Sequence, residues 1–378
     1  MEAREEAPDV RVWWDEGLVE RSARWRSARG APPPGKIVVA DSSVPVAVAV
    51  RNASQGVAML WHGPFVEARR LLSRMRKRWD RKPVTSSGDV AMDFYRHRQA
   101  RKNRARVLGM VLVELDADRL AELGADDGLA AAIRDAYGDL DEPVVVSVRD
   151  LLGVLSAYQW QREGVWVEAL GERIHPRYGV FSPTRDEYVD LVAAAPLPEG
   201  ATVFDIGTGT GVLAALLAKR GARVVATDIA PRAVECAADN MTRLGLDDRV
   251  EVVEADLFPP GRADVVLCNP PWLPGTPNST LDAAVFDHGG RMLSGFLDGV
   301  AAHLNPGGEA WLVISDLAER LYIREPGELE RMVDAAGLRV LDRTHVPPRH
   351  PASRDATDPL ADARGAERVW LWRLAAGD

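Results

Sequence analysis

Val203-Phe-Asp-Ile-Gly-Thr-Gly-Thr-Gly-Val-Leu213 decides the fold. The apolar run Thr202–Ile206 predicts a buried strand, and Gly207, Gly209 and Gly211 predict a tight turn into a helix over Gly211–Arg220. Glycine lets a backbone turn sharply and approach a ligand closely. The helix start behind it offers free N–H groups and the positive end of its dipole. Outward from this loop the chain alternates. Strand Arg223–Thr227 is followed by helix Pro231–Leu244, with proline at its start. Strands Val250–Val253 and Asp264–Cys268, a helix within Leu281–His303, strand Gly308–Ile314 and helix Pro326–Ala336 come next. Leu338–Val346 and Glu367–Leu374 read as two closing strands. Such alternation predicts an α/β, Rossmann-like parallel sheet closed by an antiparallel hairpin, with a ligand site at the carboxyl edge of its strands.

The kind of ligand is read from the loop and its neighbours. A dinucleotide fingerprint needs GxGxxG, whereas Val212 stands at the third glycine position and the run is GxGxG. Asp205 precedes the glycines, where a carboxylate suits an ammonium better than a pyrophosphate. Asp228 ends the next strand in Val224-Val-Ala-Thr-Asp228-Ile229, where it can accept hydrogen bonds from two ribose hydroxyls or cap the following helix. After the fourth strand comes Cys268-Asn269-Pro270-Pro271-Trp272. Asn269 Oδ1 and the Pro270 carbonyl can each accept one N–H of a planar NH2 group and aim its lone pair at an electrophile. As the nitrogen gains positive charge both acceptors bind it more tightly. Pro270 and Pro271 stiffen the loop, and Trp272 offers a flat face for stacking.

Gly207–Gly211 resembles the glycine-rich motif of class I S-adenosylmethionine (SAM)-dependent methyltransferases, and Asn269–Trp272 resembles the (N/D)PP(Y/F/W) motif of their amino-methylating group. The resemblance covers about residues 172–316. It implies SAM as cofactor, S-adenosylhomocysteine as product and no metal. It places Asp205, Gly207, Thr208, Gly209, Gly211, Asp228, Ile229 and Asn269 at the cofactor, with Asp256 on the adenine amino group and the Leu257 N–H on a ring nitrogen. Asn269, Pro270, Pro271 and Trp272 become the catalytic set. In the segment before the first helix, Arg185–Ala195, Phe181 and Thr184 are expected at the cofactor and Tyr178 at the rim of the acceptor pocket. Standing alone, Asp256 would read as a solvated loop acid, the connector as packing, and the glycine turn as part of a nicotinamide fold.

The N-terminal half lacks a glycine-rich loop. Its first thirty residues read as a charged helical lead-in. Strands Lys36–Ala40, Val57–Trp61 and Met110–Leu115, with a helix from Phe65 to Trp79, make it a smaller α/β region. Val44–Ser54 reads as helix or strand, 80–92 as a loop and Val144–Trp160 as one long helix. Domains are expected at 1–168 and 169–378. The layout is similar to that of ribosomal-RNA guanine-N2 methyltransferases. The connector and Asn-Pro-Pro run are similar to release-factor glutamine methyltransferases, whose loop reads NPPY, so Trp272 departs from them.

Composition narrows the partners. A chain of 378 residues, 46% hydrophobic and 27% charged, is neither disordered nor fibrous. Its apolar stretches, such as Val44–Val50, are too short to span a bilayer. Cys236 and Cys268 cannot make a disulfide framework, and MEAREEAPDV is no signal peptide, so a cytoplasmic location is expected. The net charge of −9 hides an asymmetry, because residues 66–106 hold fourteen Lys or Arg against four acids. Interleaved with Trp79, Phe94, Tyr95 and His97, those cations (Arg69 to Arg106) suit nucleic acid, although a solvated helix gives the same run. The acceptors in play are a base of RNA first, then a protein glutamine or a small amine. A non-catalytic RNA-binding protein is the second class and a nicotinamide oxidoreductase the third. Loop 347–365, with Arg349, His350, Arg354 and Arg364 and with His345 just before it, reads as solvated or as a flap, without a metal-ligand spacing.

Overall fold

Thr202–Ile206 is buried along nearly its whole length, the signature of a strand covered by helices on both faces. The computed structural model describes residues 10–27, 30–81, 87–116, 120, 123–124, 127–277, 282–349 and 360–377. The chain forms two compact units, one of Met1–Thr85 with Tyr95–Gln159, the other of Ser86–Phe94 with Trp160–Asp378. No helix among the described residues is long and apolar enough to cross a membrane.

Up to Glu163 the elements run β1 Arg11–Glu16, β2 Val19–Trp25, β3 Lys36–Ala40, α1 Val46–Ser54, β4 Val57–Trp61, α2 Phe65–Trp79, α3 Val90–Leu108, β5 Val111–Leu115, α4 Asp127–Tyr137, β6 Val144–Ser147 and α5 Val148–Glu163, all in the first unit except Val90–Phe94 of α3 and Trp160–Glu163 of α5. They build a six-stranded mixed sheet in the order β1-β2-β6-β5-β4-β3. Two expectations fail here. The lead-in is an antiparallel hairpin rather than a helix: Val12 and Trp14 face inward while Trp13 faces out, a period of two, and Gly17 turns the chain at φ +69°. The long helix from Val144 is a strand followed by a helix. The run of three valines pairs with β5, and the Ser147 hydroxyl accepts the Asp150 N–H at 2.9 Å, so the helix starts there. Val44–Ser54 resolves as a helix, and much of the loop 80–92 lies outside the described residues or, from Val90, is helical.

The second unit continues with β7 Val165–Val167, β8 Glu172–Ile174, α6 Glu187–Ala194, β9 Thr202–Ile206, α7 Val212–Lys219, β10 Arg223–Asp228, α8 Pro231–Leu244, β11 Val250–Glu254, β12 Ala263–Cys268, β13 Leu273–Pro274, β14 Phe286–Asp287, α9 Arg291–Val300, β15 Leu304–Ser315, α10 Leu317–Arg320, α11 Glu328–Ala335, β16 Leu338–Val346, α12 Ala361–Ala366 and β17 Val369–Ala376. Its main sheet has seven strands in the order β11-β10-β9-β12-β15-β17-β16, with β17 antiparallel to both neighbours. Alternate residues feed two cores. Val203, Val265, Leu267, Trp311 and Val313 pack under α6 and α7. Phe204, Ile206, Val266, Leu312 and Ile314 pack under α9 and α11, around Phe296. The strand order reverses between β9 and β12, and a crevice for a ligand opens at such a switch point.

Trp311 is fully buried, and its indole N–H reaches Glu309 at 2.9 Å. Trp311→Ala should lower the stability of this unit by about 3–5 kcal/mol, read as a lower denaturation midpoint in urea.

Candidate active site

The glycine loop is tied to the strand beside it. The N–H groups of Gly207 and Thr208 both donate to the Thr227 carbonyl at 2.8 Å, and the Gly209 N–H donates to Asp228 Oδ2 at 3.0 Å. The other Asp228 oxygen accepts the Ala230 N–H at 2.9 Å. Asp228 therefore braces two backbone segments and is not the cap of α8, whose N-cap is Ala230 without a side-chain bond. The Thr227 hydroxyl donates to the Leu257 carbonyl at 2.6 Å, and the Ala255 N–H to the Asp228 carbonyl at 3.1 Å. Three successive strand ends are thus laced together. Leu257 sits at φ +71°, where a side chain costs about 1–2 kcal/mol, and its tip rests where Gly295 leaves room for it.

Two glycines are required by what surrounds them. Gly207, at φ +73°, faces the Met292 methyl, which an added Cβ would strike, and a Cβ at Gly211 would run into Met241 and Ala237 of α8. Gly209 faces open space, the side from which a ligand can approach. Asp205 lies beneath the loop, 2% exposed, and accepts the Thr208 hydroxyl at 2.7 Å. Burial pushes its carboxyl up to about 6. Burial also raises Asp228, against hydrogen bonds from Ala230 and Gly209 that favour the ionised form.

Cys268 of β12 pairs with Ile206 of β9, so Asn269 leaves the sheet beside Gly207. The Trp272 indole N–H donates to Asn269 Oδ1 at 2.8 Å. The Trp272 ring packs against both cores and carries the Arg185 guanidinium over one face, 4.8 Å from its centroid. Arg185 in turn donates to Glu187 at 2.7 Å and to Glu367 at 3.1 Å, and Ser315 donates to the same Glu367 oxygen at 2.6 Å.

The other expected residues are spread more widely. Ile229 and Phe181 are exposed apolar side chains and Thr184 is exposed. Asp256 is on the surface, paired with Arg291 at 2.7 Å. Tyr178 is buried, with Arg232 of α8 5.8 Å from its ring centroid. Its segment lies on α8: the His175 N–H donates to Asn240 at 2.9 Å, and Arg177 binds Asp239 and Glu235, each at 2.6 Å. His345 packs on Trp370, whereas His350 and Arg354 lie outside the described residues. Sequence reasoning missed Thr227, Arg185, Glu187, Ser315, Glu367 and Met292. The one local signal was an acid, Glu187, at the head of an apolar helix, where it is fully buried.

A basic surface occupies the first unit. α2 buries Phe65, Ala68, Leu71, Leu72 and Met75 and exposes Arg69, Arg70, Arg74, Arg76, Lys77 and Arg78. Asp80 grips Arg104 of α3 with two bonds of 2.7 and 2.8 Å. Arg76, Lys77, Asp80, Arg81 and Arg104 line an open cleft of about 640 Å³.

The family model "Methyltransferase small domain" matches residues 172–323, within the second unit. A release factor glutamine methyltransferase of Cereibacter sphaeroides is 35% identical over 191 residues, 45% of this chain and 66% of that protein. A protein of Methanocaldococcus jannaschii named as an N5-glutamine methyltransferase is 32% identical over 160 residues, 40% of this chain and 79% of its own length. A tRNA (adenine-N6)-methyltransferase of Vibrio parahaemolyticus is 39% identical over 95 residues, 24% of this chain and 40% of that enzyme. The chain thus spans just under two thirds of the first of these relatives.

Because the native carboxyl of Asp205 titrates near 6 against 3.8 when unfolded, the native state holds the extra proton between those values. Its ionisation therefore destabilises the ligand-free protein above about pH 6, and the penalty vanishes below about pH 4. Asp205→Asn should raise the thermal stability of the ligand-free protein at pH 7.5, by on the order of 2–3 kcal/mol. That gain should shrink toward pH 5, as thermal scans at the two pH values would read.

Proposed function

Since the chain belongs to the class I SAM-dependent methyltransferases, in the amino-methylating group, we propose that its second unit methylates a planar amino or amide nitrogen held by Asn269 and the Pro270 carbonyl. The observation that carries this reading is the register that brings Asn269 out of β12 beside Gly207 at the switch point.

The residues fit the cofactor. Gly209 leaves space that a Cβ would fill, and Asp205 is a buried carboxylate whose ionised form calls for a cation. When bound, SAM supplies a sulfonium-activated methyl group and leaves as S-adenosylhomocysteine. Asp205 would hold its ammonium, and Asp228 its ribose hydroxyls while still bracing Gly209. Asp256 exchanges Arg291 for the adenine amino group at little cost, since an exposed pair contributes about 0–1 kcal/mol. The Leu257 N–H would hold a ring nitrogen, Ile229 would lie against the base, and Phe181 and Thr184 would contact the methionine end. Asn269 Oδ1 and the Pro270 carbonyl orient the acceptor lone pair and take up its growing positive charge. The proton leaves to solvent after transfer, so no strong base is needed.

The acceptor we infer is a base of RNA, in keeping with the cations of α2 and α3 and the cleft around Arg104, where phosphates would bind. A base held in a duplex would have to be flipped out to reach the loop. Glutamine on a protein is the second reading, favoured by the names of two relatives.

Asn269→Ala should cut methyl transfer by at least about 100-fold and leave SAM binding within about twofold, measured by single turnover and calorimetry. SAM affinity should fall as pH drops below about 6, because the ammonium needs the ionised Asp205, and Asp205→Asn should flatten that dependence. Incubation of cell extract with methyl-labelled SAM should label RNA; label in protein instead selects the glutamine reading. Each of Arg76→Ala and Arg81→Ala should lower the slope of log affinity for RNA against log salt by about 0.7–0.9.

A further inference from the structure

We propose that Arg185 is a positioning residue for methyl transfer. It fixes the Trp272 indole and, through the indole N–H, the orientation of the Asn269 amide. The proposal rests on the reading that Asn269 holds the acceptor nitrogen.

The two ends of an asparagine amide are nearly equal in shape and opposite in function. Turned one way Asn269 offers Oδ1 to the incoming N–H; turned the other way it offers a second donor, and the acceptor is repelled. An indole N–H is a donor only, so its 2.8 Å bond to Oδ1 selects one orientation and leaves the second lone pair of Oδ1 for the acceptor. Phenylalanine at this position has no such donor, and a tyrosine hydroxyl lies at the far tip of the ring. Trp272 makes an internal lock that neither alternative residue provides in that place.

The indole is itself held. The Arg185 guanidinium lies over one ring face while its edges bind Glu187 and Glu367, which are 0% and 2% exposed. A flat, delocalised cation can stack with its face and bond with its edge at once, which a lysine ammonium cannot do. Glu367 is fixed further by Ser315 at the end of β15. Among the described residues the second oxygen of Glu187 is buried without a hydrogen-bond partner, and Arg185 is the cation paired with this carboxylate. Three segments distant in sequence, at residues 185–187, 315 and 367, are thus joined in one network around the Arg185 guanidinium, which lies on the ring. With that face covered, an acceptor can reach the ring only by its other face or its edge.

Outright removal of Arg185 would strand buried charge and risk unfolding, so Trp272→Phe, Arg185→Lys and the double variant are the useful tests, in the full chain. The Trp272 indole N–H resonance, identified by its loss in Trp272→Phe, should exchange with solvent slowly in the wild type. It should exchange at least about tenfold faster in both Arg185→Lys and Asn269→Ala, in line with a lost bond. Transfer from labelled SAM into whichever extract fraction takes label should fall about tenfold in Trp272→Phe and in Arg185→Lys. The SAM dissociation constant and melting temperature should stay close to wild type. The double variant should be no slower than Trp272→Phe alone, since Arg185 acts through the ring. A fully additive double variant, an unchanged Trp272→Phe, or unchanged indole exchange in Arg185→Lys would overturn the proposal. If Asn269→Ala keeps full transfer, the reading of Asn269 falls instead, while the exchange data still decide whether Arg185 holds the ring. If no fraction takes label, the exchange data decide alone.

Discussion

The Thr227 carbonyl accepts two consecutive N–H groups, those of Gly207 and Thr208, and the remainder of the cofactor edge depends on that bifurcated grip. A glycine-rich turn is entropically loose. Here its start is anchored to the neighbouring strand, its middle to Asp228 and its end to α8 through Asn240, which donates to the Thr210 carbonyl at 3.0 Å. The same threonine reaches Leu257 with its hydroxyl, so one residue sets both the glycine turn and the left-handed turn after β11. Neither role leaves a mark in the sequence beyond a threonine before an aspartate.

The chemistry of the edge is divided by electrostatics. On one side lies Asp205, buried and costly to ionise. On the other lie Asn269 and the prolines, neutral acceptors that suit a nitrogen acquiring charge during reaction. Preorganisation of neutral acceptors demands stiffness rather than charge, which the fold supplies through proline and through the indole. The carboxylates around Arg185 stand one step behind, bonded to the guanidinium that covers one face of that ring.

The second unit was legible because its evidence is local. Thr202–Ile206, the GxGxG turn and the Asn-Pro-Pro-Trp run each announce an element within a few residues, and helix Pro231–Leu244 and strand Leu338–Val346 lie where the pattern puts them. The N-terminal hairpin was obscured by charge. Arg11–Glu16 alternates inward and outward, but Val19–Arg21 are all exposed, and the acidic and basic residues of the pair resemble a solvated helix. Val144–Ser147 was absorbed into the helix it precedes, because four residues carry too little periodicity to stand apart. The site was readable down to its backbone motifs and no further. Arg185 and Glu367 are 182 positions apart, and the lean of His175 and Arg177 on α8 spans about sixty. Such pairings arise from packing, and no local pattern encodes them.

β17 lies between β15 and β16, both of which precede it in the chain. During synthesis the ribosome therefore releases β15 with an open flank and β16 with no partner until residues 369–376 emerge. Glu367, just ahead of that strand, arrives with it. The Glu367 support of Arg185, and through it of the Trp272 ring, therefore comes into place with β17. Until β17 is in place, the slot between β15 and β16 is an open edge at which a stray β-segment would compete.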